Sequence, residues 1–217
     1  MTEVVLCYHA VSDSWEHALS VRPRDFERQI RSFLRRGLRL HVTFDDAFRT
    51  VVDVLPFLRR LEVRTAIFVC SDHADDGAPL TVPELAAEPL DELATLTWDE
   101  LRGLHDVAIG SHTRSHPHLR SLAHDELVDE LRTSRARIEA ELGRACSAFA
   151  YPYGEQDARV RDAVRAAGYT EAYGLPGRPG DPFLRPRAGI FRRDGLLRVN
   201  LKCTRAAAAL AARREQA

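Results

Sequence analysis

Short apolar runs in this chain repeatedly end on a residue that can do chemistry, and stretches of helical period separate them. Residues 4–8 run into His9, residues 41–44 into Asp45 and Asp46, residues 107–110 into Ser111 and His112, and residues 146–150 into Tyr151-Pro152-Tyr153. A further run covers 65–70. Between the runs, Phe26, Ile30, Phe33 and Leu34 share one helical stripe that Gly37 closes. Leu127, Leu131, Ile138 and Leu142 form a second stripe ended by Gly143, and Val160, Ala163, Val164 and Ala167 a third stopped by Gly168. This alternation predicts a β/α architecture. In parallel β/α folds the carboxyl ends of the strands share one rim where active sites are built, so residues distant in sequence can converge there.

The remaining segments are read from their punctuation. A helix with an internal Pro56 follows Asp46, and residues 72–97, with three prolines, read as an irregular loop. Thr97 is a candidate N-cap with Asp99 and Glu100 in its first turn. Residues 174–186 hold four prolines and three glycines and read as a loop, and a terminal helix is expected over about 198–217. At 217 residues the chain is expected to be a single domain spanning 1–217.

Charge narrows the function classes. The chain has 31 basic and 32 acidic side chains and a formal net charge of −1, which argues against an electrostatic nucleic-acid binder. All the basic residues but Lys202 are arginine, with acidic residues alongside them. No apolar run approaches the roughly 18 residues of a membrane span, and the acidic start does not resemble a secretory signal, so a cytoplasmic protein is expected. Cys7, Cys70, Cys146 and Cys203 are scattered without a metal-binding spacing and read as reduced, buried thiols.

Three elements carry the chemistry: Thr43-Phe44-Asp45-Asp46, then Ser111-His112-Thr113-Arg114-Ser115-His116, then Phe149-Ala150-Tyr151-Pro152-Tyr153-Gly154. One carboxylate and two imidazoles make three protein ligands, which leaves open positions on a divalent ion for water and substrate. Adjacent Asp side chains at a strand end diverge, so one can bind the ion while the other accepts a proton. Thr113 stands where a zincin would need Glu, which excludes that motif.

On these motifs the chain resembles the polysaccharide deacetylase family, over about residues 4–187: TFDD and HTRSH match the family's first two motifs. The resemblance implies a distorted (β/α) barrel, with Asp45 as catalytic base and Asp46, His112 and His116 as metal ligands. It implies that Tyr153 offers its backbone N–H to the oxyanion. The third motif reads Ala150-Tyr151-Pro152-Tyr153, without the family's base-orienting Arg, and Arg187 is the candidate substitute. No His follows His124, so the family's late Leu-x-His is missing. Leu6-Cys7-Tyr8-His9 instead resembles relatives in which that strand has moved to the front by circular permutation, which makes His9 the candidate general acid. Only five residues separate Gly37 from Thr43, fewer than in such relatives, so an incomplete or partly open barrel is the alternative to full closure.

The same resemblance implies a metal-dependent hydrolase that removes an N-acetyl group from an amino sugar or glycoside. The ion is expected to be Zn²⁺, with Co²⁺, Ni²⁺, Mn²⁺ or Fe²⁺ as alternatives. Hydrolysis of a non-sugar amide and non-catalytic carbohydrate binding are the competing functions. A non-haem iron oxygenase also uses two His and one carboxylate, but normally places the carboxylate two residues after the first His. Trp15 and Trp98 are possible sugar-lining residues, His73 is a weak candidate for the rim, and His118 reads as incidental.

Overall fold

The computed structural model describes residues 3–211, with side chains as far as residue 203. Its strands are β1 (Glu3–Tyr8), β2 (Ala10–Val11), β3 (Ser20–Val21), β4 (Arg39–Phe44), β5 (Arg64–Val69), β6 (Ala108–Ser111), β7 (Ala148–Ala150), β8 (Glu171–Gly174), β9 (Arg185–Pro186) and β10 (Ala188–Gly189). Its helices are α1 (Pro23–Arg35), α2 (Leu55–Arg60), α3 (Trp98–Arg102), α4 (His124–Leu142), α5 (Ala158–Ala166) and α6 (Leu196–Ala211). Residues 212–217 of the expected terminal helix lie outside the described residues.

Local signals explain most boundaries. Phe26, Gln29, Ile30 and Phe33 form the buried face of α1, which opens on Pro23, and Gly37 follows it at φ +71°. Thr97 caps α3 through a reciprocal box with Glu100, and Gly143 ends α4 in the left-handed conformation. Pro56 sits in the first turn of α2 and does not interrupt a longer helix, because a 3₁₀ segment precedes it. Strand β9 falls inside residues 174–186, expected as loop, and β8 and β10 arise in stretches to which the sequence pattern assigns no element.

The strands β10-β1-β4-β5-β6-β7-β8-β9 form one parallel sheet in that order, and β2 pairs with β3 separately. The sheet curls into a distorted barrel with one unsealed seam. Tyr173 and Gly174 of β8 pair with Arg185 and Pro186, whereas Leu6 and Cys7 of β1 pair with Ala188 and Gly189. One extended segment, 185–189, therefore meets both edges, and Arg187 stands between its two halves. Helix α4 packs against β6, α3 and α5, and α6 against α1 and β1. Among the described residues no helix is long and apolar enough to cross a membrane.

Side chains alternate along each strand. On β4, Leu40, Val42 and Phe44 join the core beneath the helices, while His41 and Thr43 are buried outside that cluster. A second apolar group, Val5, Ala66, Phe68, Ala150 and Tyr173, packs together from different strands. A Cβ on Gly110 would lie 2.5 Å from the Phe68 ring, so β6 needs glycine there. All four cysteines are free and buried.

His41 has no hydrogen-bond partner on either ring nitrogen, and its ring lies edge-on to Tyr173. Burial, with the charges of Arg64, Arg185 and Arg187, lowers its pKa to about 3. The unfolded chain protonates this His near pH 6.5, the folded chain only near 3. Acid between those values therefore favours the unfolded state, by about 1.4 kcal/mol per pH unit from this group. His41→Leu is expected to lose less stability than the parent between pH 7.5 and 4.5. Urea midpoints at the two pH values check this, and equal losses in both proteins would refute it.

Candidate active site

The chemistry-bearing residues gather where the strands end. Asp45 and Asp46 follow β4, His112 follows β6, Tyr151 to Tyr153 follow β7 and His9 follows β1. They line a cleft of about 310 Å³ that contains His9, Asp45, Asp46, His112, His116 and Tyr153. The backbone is strained around it. Asp46, Ala47, Thr113, His116 and Tyr153 all have positive φ, between 55° and 73°, and only one other non-glycine residue, Glu62, shares that property among the described residues. Such residues cost on the order of 1–3 kcal/mol each and persist where surrounding contacts fix them.

Those contacts are visible at the His112–His116 turn. Thr113 donates its N–H to Ser111 Oγ (3.2 Å), and Ser134 Oγ of α4 donates to Thr113 O (3.0 Å). Glu130, also on α4, accepts the N–H groups of Arg114 and Ser115 at 2.9 and 3.0 Å. The His116 N–H goes to Thr113 Oγ1 (3.0 Å). A buried carboxylate on a packed helix thus holds the turn that presents both imidazoles.

Asp46 Oδ1 lies 3.5 Å from His112 Nε2 and 3.3 Å from His116 Nε2, and it is buried with no aligned hydrogen-bond partner. Four-coordinate ligands at about 2.0–2.1 Å from a zinc-like ion would sit about 3.3 Å apart, so both spacings suit such an ion. His112 Nδ1 is 2.8 Å from Ala150 O, which makes Nδ1 the donor and turns the Nε2 lone pair to the cleft. Burial lowers the His112 pKa to about 4, so its ring is neutral. His116 is raised despite burial because Asp46 sits beside it, while Asp46 is lowered despite burial by His116. The donor set favours positive charge at its centre, and a divalent cation fits it.

Asp45 points elsewhere. Arg187 grips it with two bonds, Nη1 to Oδ1 at 2.6 Å and Nη2 to Oδ2 at 2.8 Å, and the Arg187 side chain is fully buried. Arg187 Nη1 also donates to Thr43 Oγ1 (3.2 Å). The Cys7 thiol, pushed well up by burial and so kept protonated, donates to Asp45 Oδ2 at 3.4 Å. Burial alone would raise Asp45, but the Arg187 guanidinium outweighs it and holds the carboxyl well below its ordinary range. Asp45 is therefore ionised, oriented and separate from the three-donor group. The structure brings Arg187 to Asp45 from 142 residues away.

Around the rim, a ring nitrogen of His9, the Cys7 sulfur and an Asp45 oxygen lie within 4.8 Å of one another, and His9 Nδ1 has no hydrogen-bond partner. The Tyr153 ring meets His116 edge-on at 4.6 Å and stacks on His118 at 4.1 Å. Tyr153 Oη donates to Glu84 Oε2 (3.1 Å). His118, which looks incidental in sequence, and Glu84, Glu130 and Cys7, which carry no sequence signal, thus belong to the surroundings of the site. Trp15 and Trp98 do not line the cleft. Both are buried, with indole N–H groups bonded to Glu88 (2.7 Å) and Asp75 (2.9 Å), and His73 is absent from the cleft lining too.

Known proteins are similar to this chain in sequence and in fold. Residues 36–172 match the sequence model of the family described as polysaccharide deacetylase. Chitin deacetylase 1 of Cryptococcus neoformans is 30% identical over 117 residues, which are 54% of this chain but only 21% of that protein's length. Among solved structures, IcaB from Ammonifex degensii superposes with a TM-score of 0.75 at 20% identity, covering 93% of this chain and 96% of its own. A polysaccharide deacetylase from Bacillus cereus superposes at 0.73 and 21% identity, covering 93% of this chain and 68% of its own.

Proposed function

Because this chain belongs to the polysaccharide deacetylase family, we propose that it is a metal-dependent amide hydrolase that releases acetate from an N-acetylated amino sugar. The observation that carries the proposal is the separation of roles at the cleft: a convergent donor set of Asp46, His112 and His116 beside an ionised, independently held Asp45. A purely carbohydrate-binding protein has no need of such a base. Four buried free thiols suit a reducing compartment and support a cytoplasmic location.

A divalent ion held by Asp46, His112 and His116, zinc by preference, would supply Lewis acidity to the amide carbonyl and bring a water's pKa down to about 7. Asp45 accepts the proton as that water attacks. Arg187 keeps the carboxylate ionised and fixes its plane, so its free lone pair stays aimed at the cleft. The Tyr153 N–H steadies the carbonyl oxygen as negative charge grows there. His9 delivers a proton to the departing nitrogen, which would otherwise be a poor leaving group.

The test is acetate release from a panel of N-acetylated sugars after chelation and metal add-back. Chelation is expected to abolish release and Zn²⁺ or Co²⁺ to restore it, and Asp46→Ala should bind less than about a tenth of the metal held by the parent, by elemental analysis. No release from any sugar with metal bound would overturn the proposal.

A further inference from the structure

We propose that the cleft accepts a small glycoside, one N-acetylated amino sugar bearing an apolar aglycone, and not an internal residue of a polysaccharide chain; this deepens the deacetylase reading and rests on it. Size is the first argument. About 310 Å³ is near the lower bound of roughly 300 Å³ for ligand pockets and holds about one sugar ring with a substituent.

Ties across the walls are the second. Glu84, on the 80–85 wall, accepts the Tyr153 hydroxyl at 3.1 Å and lies 3.4 Å from His118 Nε2. His118 is in turn held by Glu155 (3.3 Å) and by its flat stack on Tyr153. The wall that carries Ala18 and Leu19 is tied by Arg192, whose N–H reaches Ala18 O and whose Nη1 reaches Trp15 O, both at 2.9 Å. Trp15 and the hydroxyls of Ser12 and Ser14 fasten the same loop to Glu88 and Glu92. An internal residue of a polymer needs chain to leave the pocket on both sides; the Glu84–Tyr153 bond joins two of the residues that line the cleft, and the other ties fix the loop beside it.

The walls' chemistry is the third argument. Apart from the residues already given roles, the lining is mainly Leu19, Leu80, Val82, Leu85, Leu175 and Phe191. Sugar hydroxyls pressed on these side chains would lose water without gaining partners, whereas an alkyl or aryl group gains from burial there. The two tryptophans, which could have stacked on a second sugar, are committed elsewhere. Although the chain has 31 cationic residues, none of the described ones lines the cleft, and Glu84 puts negative charge at its mouth. Phosphorylated and nucleotide-linked sugars are therefore poor occupants.

The experiment uses the metal-loaded protein with the methyl, n-butyl and phenyl glycosides of N-acetylglucosamine and with its β-1,4-linked pentamer. Calorimetric Kd and acetate release are both measured. The phenyl glycoside is expected to bind at least about tenfold more tightly than the methyl glycoside, and the pentamer no better than the methyl glycoside. Leu175→Gln should remove most of the phenyl preference, and Glu84→Ala should raise kcat/KM for the pentamer severalfold by cutting the bridge. Equal Kd values across the glycosides, or tightest binding of the pentamer, would overturn the inference. Equal release from every glycoside with flat affinities sinks the inference and leaves the deacetylase reading standing. A phenyl preference in Kd without acetate release from any of them does the reverse.

Discussion

Exchanging Asp45 for Asn is expected to lower kcat by roughly 10²- to 10⁴-fold, the range that a well-placed general base contributes, while the protein keeps its metal. The reason is geometric. Asp45 is bound to Arg187 and Cys7, and Asp46 is the carboxylate that faces the two imidazoles. An amide at position 45 can still accept one guanidinium N–H, but it cannot take a proton from water at neutral pH. Metal content by elemental analysis and kcat from acetate release check both halves. A variant that loses its metal would show that the two Asp roles are reversed, and one that keeps full activity would remove Asp45 from the mechanism.

Arg187→Met is expected to cost about 3–5 kcal/mol of stability, because it leaves the Asp45 carboxylate buried without its counter-charge. For a chain of this size that corresponds to a fall in Tm of roughly 6–20 °C. Activity should fall as well, and the surviving activity should need a higher pH. Without the guanidinium, the strongest influence opposing burial is gone and the Asp45 carboxyl rises, so it becomes protonated under conditions where the parent's is ionised. Combining Asp45→Asn with Arg187→Met removes both charges and should recover much of the lost stability and none of the turnover. Calorimetric melting of the four proteins tests this, and a double variant as unstable as the sum of the singles would mean that the pair is not coupled.

Legibility in the sequence tracks the range of the interactions. The strand ends that carry Asp45-Asp46 and His112 can be read because apolar runs and polar stops are local patterns, and the α3 cap because Thr97 and Glu100 are three residues apart. Strand β8 escapes such a reading since Glu-Ala-Tyr-Gly has no marked alternation, and β9 and β10 because two-residue strands beside prolines look like loop. Arg187 can be singled out only as a substitute for a residue that should have been in the third motif, since nothing near it in sequence refers to Asp45. Glu130 looks like one more solvated acid on an amphipathic helix, yet it is buried and holds the turn between the two imidazoles. Trp15 and Trp98 go the other way: aromatic residues suggest sugar, but tertiary packing uses them as core with their N–H groups satisfied.

The segment 185–189 does two jobs at once, since the stretch that meets both β8 and β1 also delivers the guanidinium that orders Asp45. A nascent polypeptide released up to Gly174 would already carry both imidazoles and both aspartates, but its Asp45 would still lack the guanidinium that fixes it.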